Sequence, residues 1–203
     1  MDKDPVRPEH ATEQPTAPSG EMNPAPSPKQ ADPPPETDQF PKVRAAELEA
    51  IRQQFKNAFV EKQMEKDGSF PAELRRTKPY GYSLFVIDAM AGIAQIASTP
   101  GDDLWNYELP DGRGMKKAME FIFPYIQDKS KWHGQHDVLY WDEWPVRQPC
   151  LLFAGIKFNK PEYLKEWQGL KADPQTPEIV RNVPLRHPLL WFDMKATAAD
   201  AKK

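Results

Sequence analysis

Residues 82–98 read YSLFVIDAMAGIAQIAS, and this stretch decides the fold that the sequence predicts. Apolar residues lie on nearly every side of a helix drawn through it, which indicates a helix buried between neighbours rather than one on a surface. Asp88 and Gln95 interrupt the apolar run, so the stretch does not favour a transmembrane span. Residues 99–101, Thr-Pro-Gly, are expected to end the helix.

A second helix is predicted upstream, over residues 43–66. Its apolar residues follow the three-and-four spacing of an amphipathic helix. They are Leu48, Ile51, Phe55, Ala58 and Phe59. One face of this helix is therefore expected to pack on the buried helix.

Between the two helices the chain is expected to change direction. Asp67-Gly68 is typical of a turn that ends the first helix. Pro71 suits the first position of a short helical turn over residues 71–76. Pro79 and Gly81 are expected to interrupt the chain before the buried helix begins.

Downstream, apolar spacing predicts three more helices, over residues 115–126, 143–158 and 161–170. Pro124 lies inside the first of them and is expected to kink it or stop it early. A further turn is expected within residues 174–182, followed by an irregular segment. No alternating strand pattern exceeds three or four residues, so the predicted fold class is all-α, built from antiparallel helical hairpins.

The amino-terminal residues 1–40 differ in composition from the rest. Residues 1–39 contain no aromatic residue, and eleven of the 23 prolines precede Val43. Such a segment cannot bury enough apolar surface to offset its chain entropy, which predicts a disordered, extended arm. Its eight acidic and three basic residues give it a net charge of −5. One helical domain is then predicted over residues 41–195, with a polar tail at residues 196–203.

Residues 67–83, DGSFPAELRRTKPYGYS, hold two adjacent arginines six and seven residues ahead of a tyrosine. Three further pieces follow in order: DDLWNYELPDGRGMKKAMEFIFPY, LLFAG and PEYL. Together the pieces cover about residues 60–192 and resemble alginate lyase-type polysaccharide lyases. The resemblance implies an α/α toroid fold, of which this chain is the carboxy-terminal, incomplete part.

Lyases of this family cleave a uronic-acid polymer by β-elimination, which implies three tasks for the site. The substrate carboxylate must be neutralised so that the C5 proton can leave, a base must take that proton, and an acid must protonate the departing glycosidic oxygen. The resemblance implies that Tyr82 is base and acid in turn and that Arg76 neutralises the carboxylate. A free phenol titrates near ~10, so a neighbouring cation and a helix amino end are needed to favour phenolate. Glu73, one turn before Arg76, is expected to hold the guanidinium.

Four further residues are candidates for contacts with the acidic polysaccharide. Arg75 and Lys78 carry positive charges beside the predicted catalytic pair, and ordinary surface charge is the alternative for both. His133 and Trp141 lie in a loop rich in tryptophan and histidine, where aromatic faces can stack on sugar rings. Packing between helices is the alternative for Trp141, and a surface or packing position is the alternative for His133. His133 and His136 are too few to predict a metal site.

One part of the family pattern is missing from this sequence. The resemblance implies an asparagine and a histidine, on a helix upstream of the arginine–tyrosine pair, that complete the carboxylate-neutralising site. Before residue 67 the only histidine is His10, and no Asn-His dipeptide occurs in the 203 residues. Two hypotheses therefore stay open: a polysaccharide lyase, and a non-catalytic helical fragment or sugar-binding module of the same family.

Composition and resemblance set the remaining expectations. The residues after 40 include 24 basic and 22 acidic ones without a basic run, which does not favour nucleic-acid binding. No motif predicts a cofactor or a bound metal, and the lone Cys150 excludes an intrachain disulfide. The acidic, proline-rich start is not expected to act as a secretory signal, yet the resemblance implies a periplasmic or secreted protein. Missing toroid helices would leave apolar helix faces exposed, which predicts self-association.

Overall fold

The computed structural model describes residues 40–192, with side chains from residue 44 onward. The predicted acidic arm, apart from its last residue, and the predicted polar tail lie outside the described residues. Within the described range all regular elements are helices, and β-pairing is limited to two isolated bridges, Thr99–Asp102 and Glu108–Gly114. The all-α prediction is therefore confirmed.

Seven α-helices follow one another along residues 40–192. Helix α1 (Phe40–Gln54) continues directly as a π-helix (Phe55–Gln63). The later helices are α2 (Pro71–Leu74), α3 (Pro79–Ala97), α4 (Met115–Gln127), α5 (Pro149–Lys157), α6 (Pro161–Gly169) and α7 (Pro177–Arg181). Short 3₁₀ turns lie at Lys129–Lys131, Trp141–Glu143 and Pro188–Trp191.

Proline begins five of these helices: α2, α3, α5, α6 and α7. Its fixed φ suits the first helical position, and the N–H that it lacks would have no partner there. Helix α3 therefore starts at Pro79, three residues before the predicted start, and the interruption predicted at Pro79 and Gly81 is wrong. Helix α5 starts at Pro149 rather than near Glu143, for the same reason.

Pro124 lies inside α4 without ending it, because α4 continues to Gln127. Its ring deprives the carbonyl of Glu120 of an amide donor. Both residues are exposed, so water can satisfy that carbonyl. The early stop considered for this position is wrong.

Helix α3 contacts α1, α2, α4 and α5, and its apolar side chains lie in the core. Leu84 and Ile87 are fully buried in one cluster with Phe55 of the π-helix and Met119 of α4. Each fully buried side chain of this size stabilises the fold by about 1.5–3 kcal/mol. The buried helix predicted for residues 82–98 is therefore confirmed.

By length and composition alone, α3 is the one described helix that could cross a membrane, with a mean hydropathy of 1.2. However, 67% of that apolar window is buried inside the structure, as in the core helix of a folded domain. The support for a span is therefore weak, and the expectation that there is none stays a prediction.

Helices α5 and α6 form a hairpin joined by only three residues, 158–160. Asn159 has a φ of 52°, in the left-handed region that often ends a helix and lets the chain reverse. Gly155 permits close packing, because a Cβ there would lie 2.5 Å from Cδ2 of Leu164. This pair shows the predicted hairpin construction, whereas a toroid around it stays a prediction.

Candidate active site

The amino end of α3 is held by a side chain from a distant loop. Oδ1 of Asp137 accepts a hydrogen bond from the Tyr80 amide at 2.8 Å, and Oδ2 accepts one from the Gly81 amide at 3.0 Å. The amide of Val138 donates to the carbonyl of Thr77 at 3.0 Å. Burial raises the pKa of the Asp137 carboxyl, while the two backbone amides act in the opposite direction. The loop before α5 therefore positions the first turn of α3.

Arg76 and Tyr82 meet at this first turn. The guanidinium carbon of Arg76 lies 3.8 Å from the centre of the Tyr82 ring, which is a cation–π contact. Nη1 of Arg76 donates to Oε2 of Glu73 at 3.2 Å, as their spacing predicts. The Arg76 side chain is 52% exposed, so a carboxylate in solution can reach it. The structure thus brings together the two side chains that were predicted to act on one sugar ring.

Lys78 adds a second cation at the same tyrosine. Its ammonium lies 5.3 Å from the centre of the Tyr82 ring and 5.4 Å from the centre of the Tyr140 ring. It donates a hydrogen bond to Oε1 of Glu178, and the Lys78 side chain is only 14% exposed. Burial is the largest influence on the pKa of Lys78 and lowers it, but the Glu178 carboxylate and the Tyr82 phenol together outweigh burial and raise the pKa. Lys78 is therefore an enclosed, paired cation.

Glu178 belongs to α7 and has three partners. Besides the Lys78 ammonium, Nη2 of Arg181 lies 2.6 Å from its Oε2, and Nδ2 of Asn182 donates to its Oε1 at 3.2 Å. The hydrogen bond from Lys78 is the main cause that lowers the pKa of Glu178, with Arg181 contributing in the same direction. The carboxylate is therefore charged at neutral pH and gives Lys78 a lasting anionic partner.

Arg75 and His133 lie apart from these contacts. Arg75 caps the carboxy end of α2 and is exposed. His133 is also exposed, and its Nδ1 lies 2.9 Å from the Tyr125 hydroxyl. Neither shares a described contact with Tyr82, so a substrate contact by either stays a prediction.

Trp141 lies in an aromatic cluster. Its ring centre is 5.4 Å from that of Tyr80, and it stacks on His136 at 4.0 Å with 10° between the planes. The Lys129 ammonium lies 4.7 Å from the same ring. Because these neighbours cover much of the indole, packing accounts for its position, and a sugar contact by Trp141 stays a prediction.

Three residues that shape the site are not among the residues predicted for it: Asp137, Tyr140 and Glu178. Asp137 and Tyr140 come from the loop before α5, and Glu178 lies 100 residues after Lys78 in the sequence. The sequence does contain one signal, because the first amides of a helix need an acceptor. It does not indicate which distant carboxylate supplies that acceptor.

Four cavities in the described part of the chain, with volumes between 270 and 410 Å³, are lined by other residues. Arg76 and Tyr82 line none of these four. The pair is instead reached from solvent through the exposed side chain of Arg76.

Comparisons with known proteins bear on the same segment. Residues 43–132 match the sequence model of the alginate lyase family. Among solved structures, the crystal structure of an alginate lyase from Bacteroides ovatus is similar, with 29% identity and a TM-score of 0.51 over 65% of this chain. The chain spans 35% of the length of that solved chain, and no curated protein matches it significantly. The resemblance inferred from the sequence is thus confirmed, and the segment at residues 43–132, which carries the arginine–tyrosine pair, is similar to the alginate lyase family.

Proposed function

We propose that this protein is a polysaccharide lyase that cleaves a uronic-acid polymer, alginate or a related polyuronate, by β-elimination. The observation that supports this most directly is the Arg76 guanidinium, 3.8 Å from the centre of the Tyr82 ring at the amino end of α3. Both residues lie within the segment that matches the alginate lyase family. A cation, a phenol and a helix amino end in one place suit a reaction that moves a proton beside a carboxylate.

In the proposed reaction, Arg76 pairs with the uronate carboxylate through its planar fork and neutralises the charge. The phenolate of Tyr82 takes the C5 proton, and the electrons of that C–H bond form the C4–C5 double bond as the C4–O glycosidic bond breaks. The phenol then gives its proton to the departing oxygen, so the tyrosine ends in its starting state. The atoms and charges of this reaction balance without a cofactor.

Contacts with the rest of the polymer are proposed for Arg75, His133 and Trp141. Arg75 is the exposed cation next to Arg76 and suits the carboxylate of an adjacent sugar. Lys78, the fourth residue predicted to contact the polymer, is enclosed and lies beside the Tyr82 ring. A polymer substrate of this kind implies action in the periplasm or outside the cell.

Self-association is a further expectation. Apolar side chains are exposed on α3, where Ile96 is 48% exposed, and near the end of the described chain, where Leu190 is 82% exposed. Such surfaces favour contacts between copies. Sedimentation velocity is expected to show a mass that rises with concentration, and a monomer at every concentration would contradict this.

The second candidate function is a module that binds polyuronate without cleaving it. One observation favours it: the asparagine–histidine pair that the family resemblance implies is absent from these 203 residues. Without that pair, Arg76 would neutralise the substrate carboxylate with less help, which would weaken stabilisation of the developing charge. Sugar binding would then persist while the elimination is slow or absent.

The test is the absorbance of unsaturated uronate after the full chain is mixed with polymannuronate, polyguluronate or polyglucuronate. We expect a rise with at least one polymer, and Tyr82→Phe to lower the rate by about 10²–10⁴-fold, the range of a general acid–base group. Tyr107→Phe is the matched control, since Tyr107 is also a half-buried tyrosine with a lysine near its ring, and it is expected to keep the rate.

A second pair of variants tests the carboxylate-neutralising role. Arg76→Gln is expected to lower the rate, whereas Arg186→Gln is expected to keep it. The two are matched because each removes an exposed guanidinium from an ion pair of 3.2 Å, to Glu73 and to Asp173 respectively. No absorbance rise with any polymer contradicts the lyase, and polymer binding by calorimetry without a rise favours the module.

A further inference from the structure

We propose that Glu178 is a positioning residue that keeps the Lys78 ammonium charged and directed at Tyr82. The inference rests on the proposed function and adds α7 to the site. Glu178 lies outside residues 43–132, the part of the chain that matches the alginate lyase family. A residue from the later part of the chain is thus assigned to the electrostatics of the predicted base.

Lys78 needs a carboxylate partner to keep its position and its charge. Its side chain is 14% exposed, and burial disfavours the charged form of an amine. The carboxylate of Glu178, itself 12% exposed, accepts a hydrogen bond from the ammonium and offsets that cost. Without Glu178 the ammonium would move into water on its flexible stem or lose its proton.

The Lys78 ammonium lies beside two tyrosine rings. It is 5.3 Å from the centre of the Tyr82 ring and 5.4 Å from that of Tyr140, while Glu178 accepts one of its three N–H groups. A positive charge at this distance attracts the negative charge that develops on a phenol oxygen when it reacts. Either response to the loss of Glu178 removes that charge, so a substitution in α7 is expected to slow reactions at the Tyr82 hydroxyl in α3.

Glu178 is itself held in place by two neighbours. Nη2 of Arg181 and Nδ2 of Asn182 both contact its carboxylate, at 2.6 Å and 3.2 Å. A carboxylate held by several donors loses less freedom when it binds an ammonium. The geometry therefore suits Glu178 to hold a flexible lysine in one place.

Nitration by tetranitromethane tests the proposal, because the reagent attacks phenolate much faster than phenol. The rate at Tyr82, read by mass spectrometry relative to Tyr107 in the same full-length protein, reports the charge beside the phenol. We expect Glu178→Gln and Lys78→Met each to lower the relative rate by about 3–10-fold, and Lys78→Arg, which keeps the cation, to retain most of it. Combining Glu178→Gln with Lys78→Met is expected to add little, since both act through one ammonium.

Glu162→Gln is the matched control. It breaks an exposed lysine–glutamate pair, Lys160 to Glu162 at 3.5 Å, and is expected to leave nitration of Tyr82 unchanged. Circular dichroism checks the fold of each variant. Lys78→Met removes the ammonium directly and leaves α7 unaltered. If one of the two variants fails to fold, the other still tests the proposal. Unchanged nitration of Tyr82 in either folded variant overturns the proposal.

Nitration needs no polymer cleavage, which separates this inference from the proposed function. If no polyuronate is cleaved while nitration falls in both variants, the function fails and the positioning role stands. If Tyr82→Phe abolishes cleavage while Glu178→Gln leaves nitration unchanged, the positioning role fails and the function stands. In an active protein, Glu178→Gln is expected to lower kcat with little change in KM, and Lys78→Arg to retain more kcat than Lys78→Met.

Discussion

The family-matched segment (residues 43–132) and the later segment (residues 133–192) contribute differently to the candidate site. The family-matched segment supplies the groups that would do chemistry, the arginine and the tyrosine at the start of α3. The later segment supplies two carboxylates that hold groups beside this pair: Asp137 accepts from the first amides of α3, and Glu178 accepts from the nearby Lys78. The difference teaches that the surroundings of the predicted pair depend on partners outside its own segment, although the carboxylate that contacts Arg76, Glu73, lies inside it. Substitutions across the boundary between the two segments test this comparison.

The largest expected effect concerns Asp88, which joins α3 to α5 across that boundary. Its Oδ1 accepts a hydrogen bond from the Cys150 amide at 2.9 Å, while its Oδ2 has no hydrogen-bond partner among residues 40–192. Burial raises the pKa of Asp88 to about 7, above the value of about 3.9 for an unfolded aspartate. The unfolded chain therefore loses this proton first, so the free energy of unfolding falls by about 4 kcal/mol as the pH rises from about 4 to about 7.

Asp88→Asn removes that titration and keeps an acceptor for the Cys150 amide. We expect the variant to match the wild type near pH ~4 and to exceed its free energy of unfolding by up to about 4 kcal/mol above pH ~7. Urea unfolding across this range measures the difference. If the free energy of unfolding of both proteins depends on pH in the same way, the pKa of Asp88 is not raised by folding.

The next effect concerns Asp137, the acceptor for two backbone amides of α3. Asp137→Ala leaves both amides without that acceptor, and hydrogen bonds to charged groups contribute about 1.5–3 kcal/mol each. We expect a loss of about 3 kcal/mol in the free energy of unfolding, measured by urea. Asp142→Ala removes an exposed carboxylate from the same loop and is expected to cost less than about 0.5 kcal/mol. Equal losses would contradict the capping role.

Much of the family-matched segment could be predicted from the sequence, because local patterns determine it. The apolar run of residues 82–98 indicates a buried helix, and Asp67-Gly68 indicates a turn, which the structure has at that position with a φ of 90° at Gly68. The spacing of Arg76 and Tyr82 needed the family resemblance before it suggested a shared site. Their contact then follows from a short connection between α2 and α3.

The contribution of the later segment could not be predicted in the same way. Asp137 accepts a hydrogen bond from the Tyr80 amide, 57 residues away in the sequence, and no periodicity relates the two positions. Helices α3 and α5 begin at Pro79 and Pro149 and not at the predicted residues, because proline suits the first position of a helix as well as a break in one. Contacts of long sequence separation depend on packing, which a single sequence does not reveal.

A smaller effect is expected at Gly81, where the later segment packs against the first turn of α3. A Cβ there would lie 2.8 Å from Nε1 of Trp144 and 2.9 Å from Oδ2 of Asp137, both in the later segment. Gly81→Ala is expected to lower the free energy of unfolding by about 2 kcal/mol, since overpacking outweighs the gain of about 1 kcal/mol from helix propensity. Gly101→Ala, with nothing within 4 Å of the added Cβ, is the matched control in thermal or urea unfolding. If Gly81→Ala stabilises the protein, the loop before α5 can move away from the added methyl group and does not position α3.

The smallest effect is expected within the later segment itself, at Arg181. Its Nη2 lies 2.6 Å from Oε2 of Glu178, but its side chain is 68% exposed, and exposed ion pairs contribute about 0–1 kcal/mol. Arg181→Gln is therefore expected to cost less than about 0.5 kcal/mol in urea unfolding and to change nitration of Tyr82 less than Lys78→Met does. Lys78 and Arg181 contact the same carboxylate. Comparing the nitration rates of Lys78→Met and Arg181→Gln therefore separates the effect of the enclosed ion pair between the segments from that of the exposed ion pair within α7. If Arg181→Gln lowers nitration as much as Glu178→Gln does, then holding Glu178 in place matters as much as its charge, and Arg181 joins the residues on which the site depends.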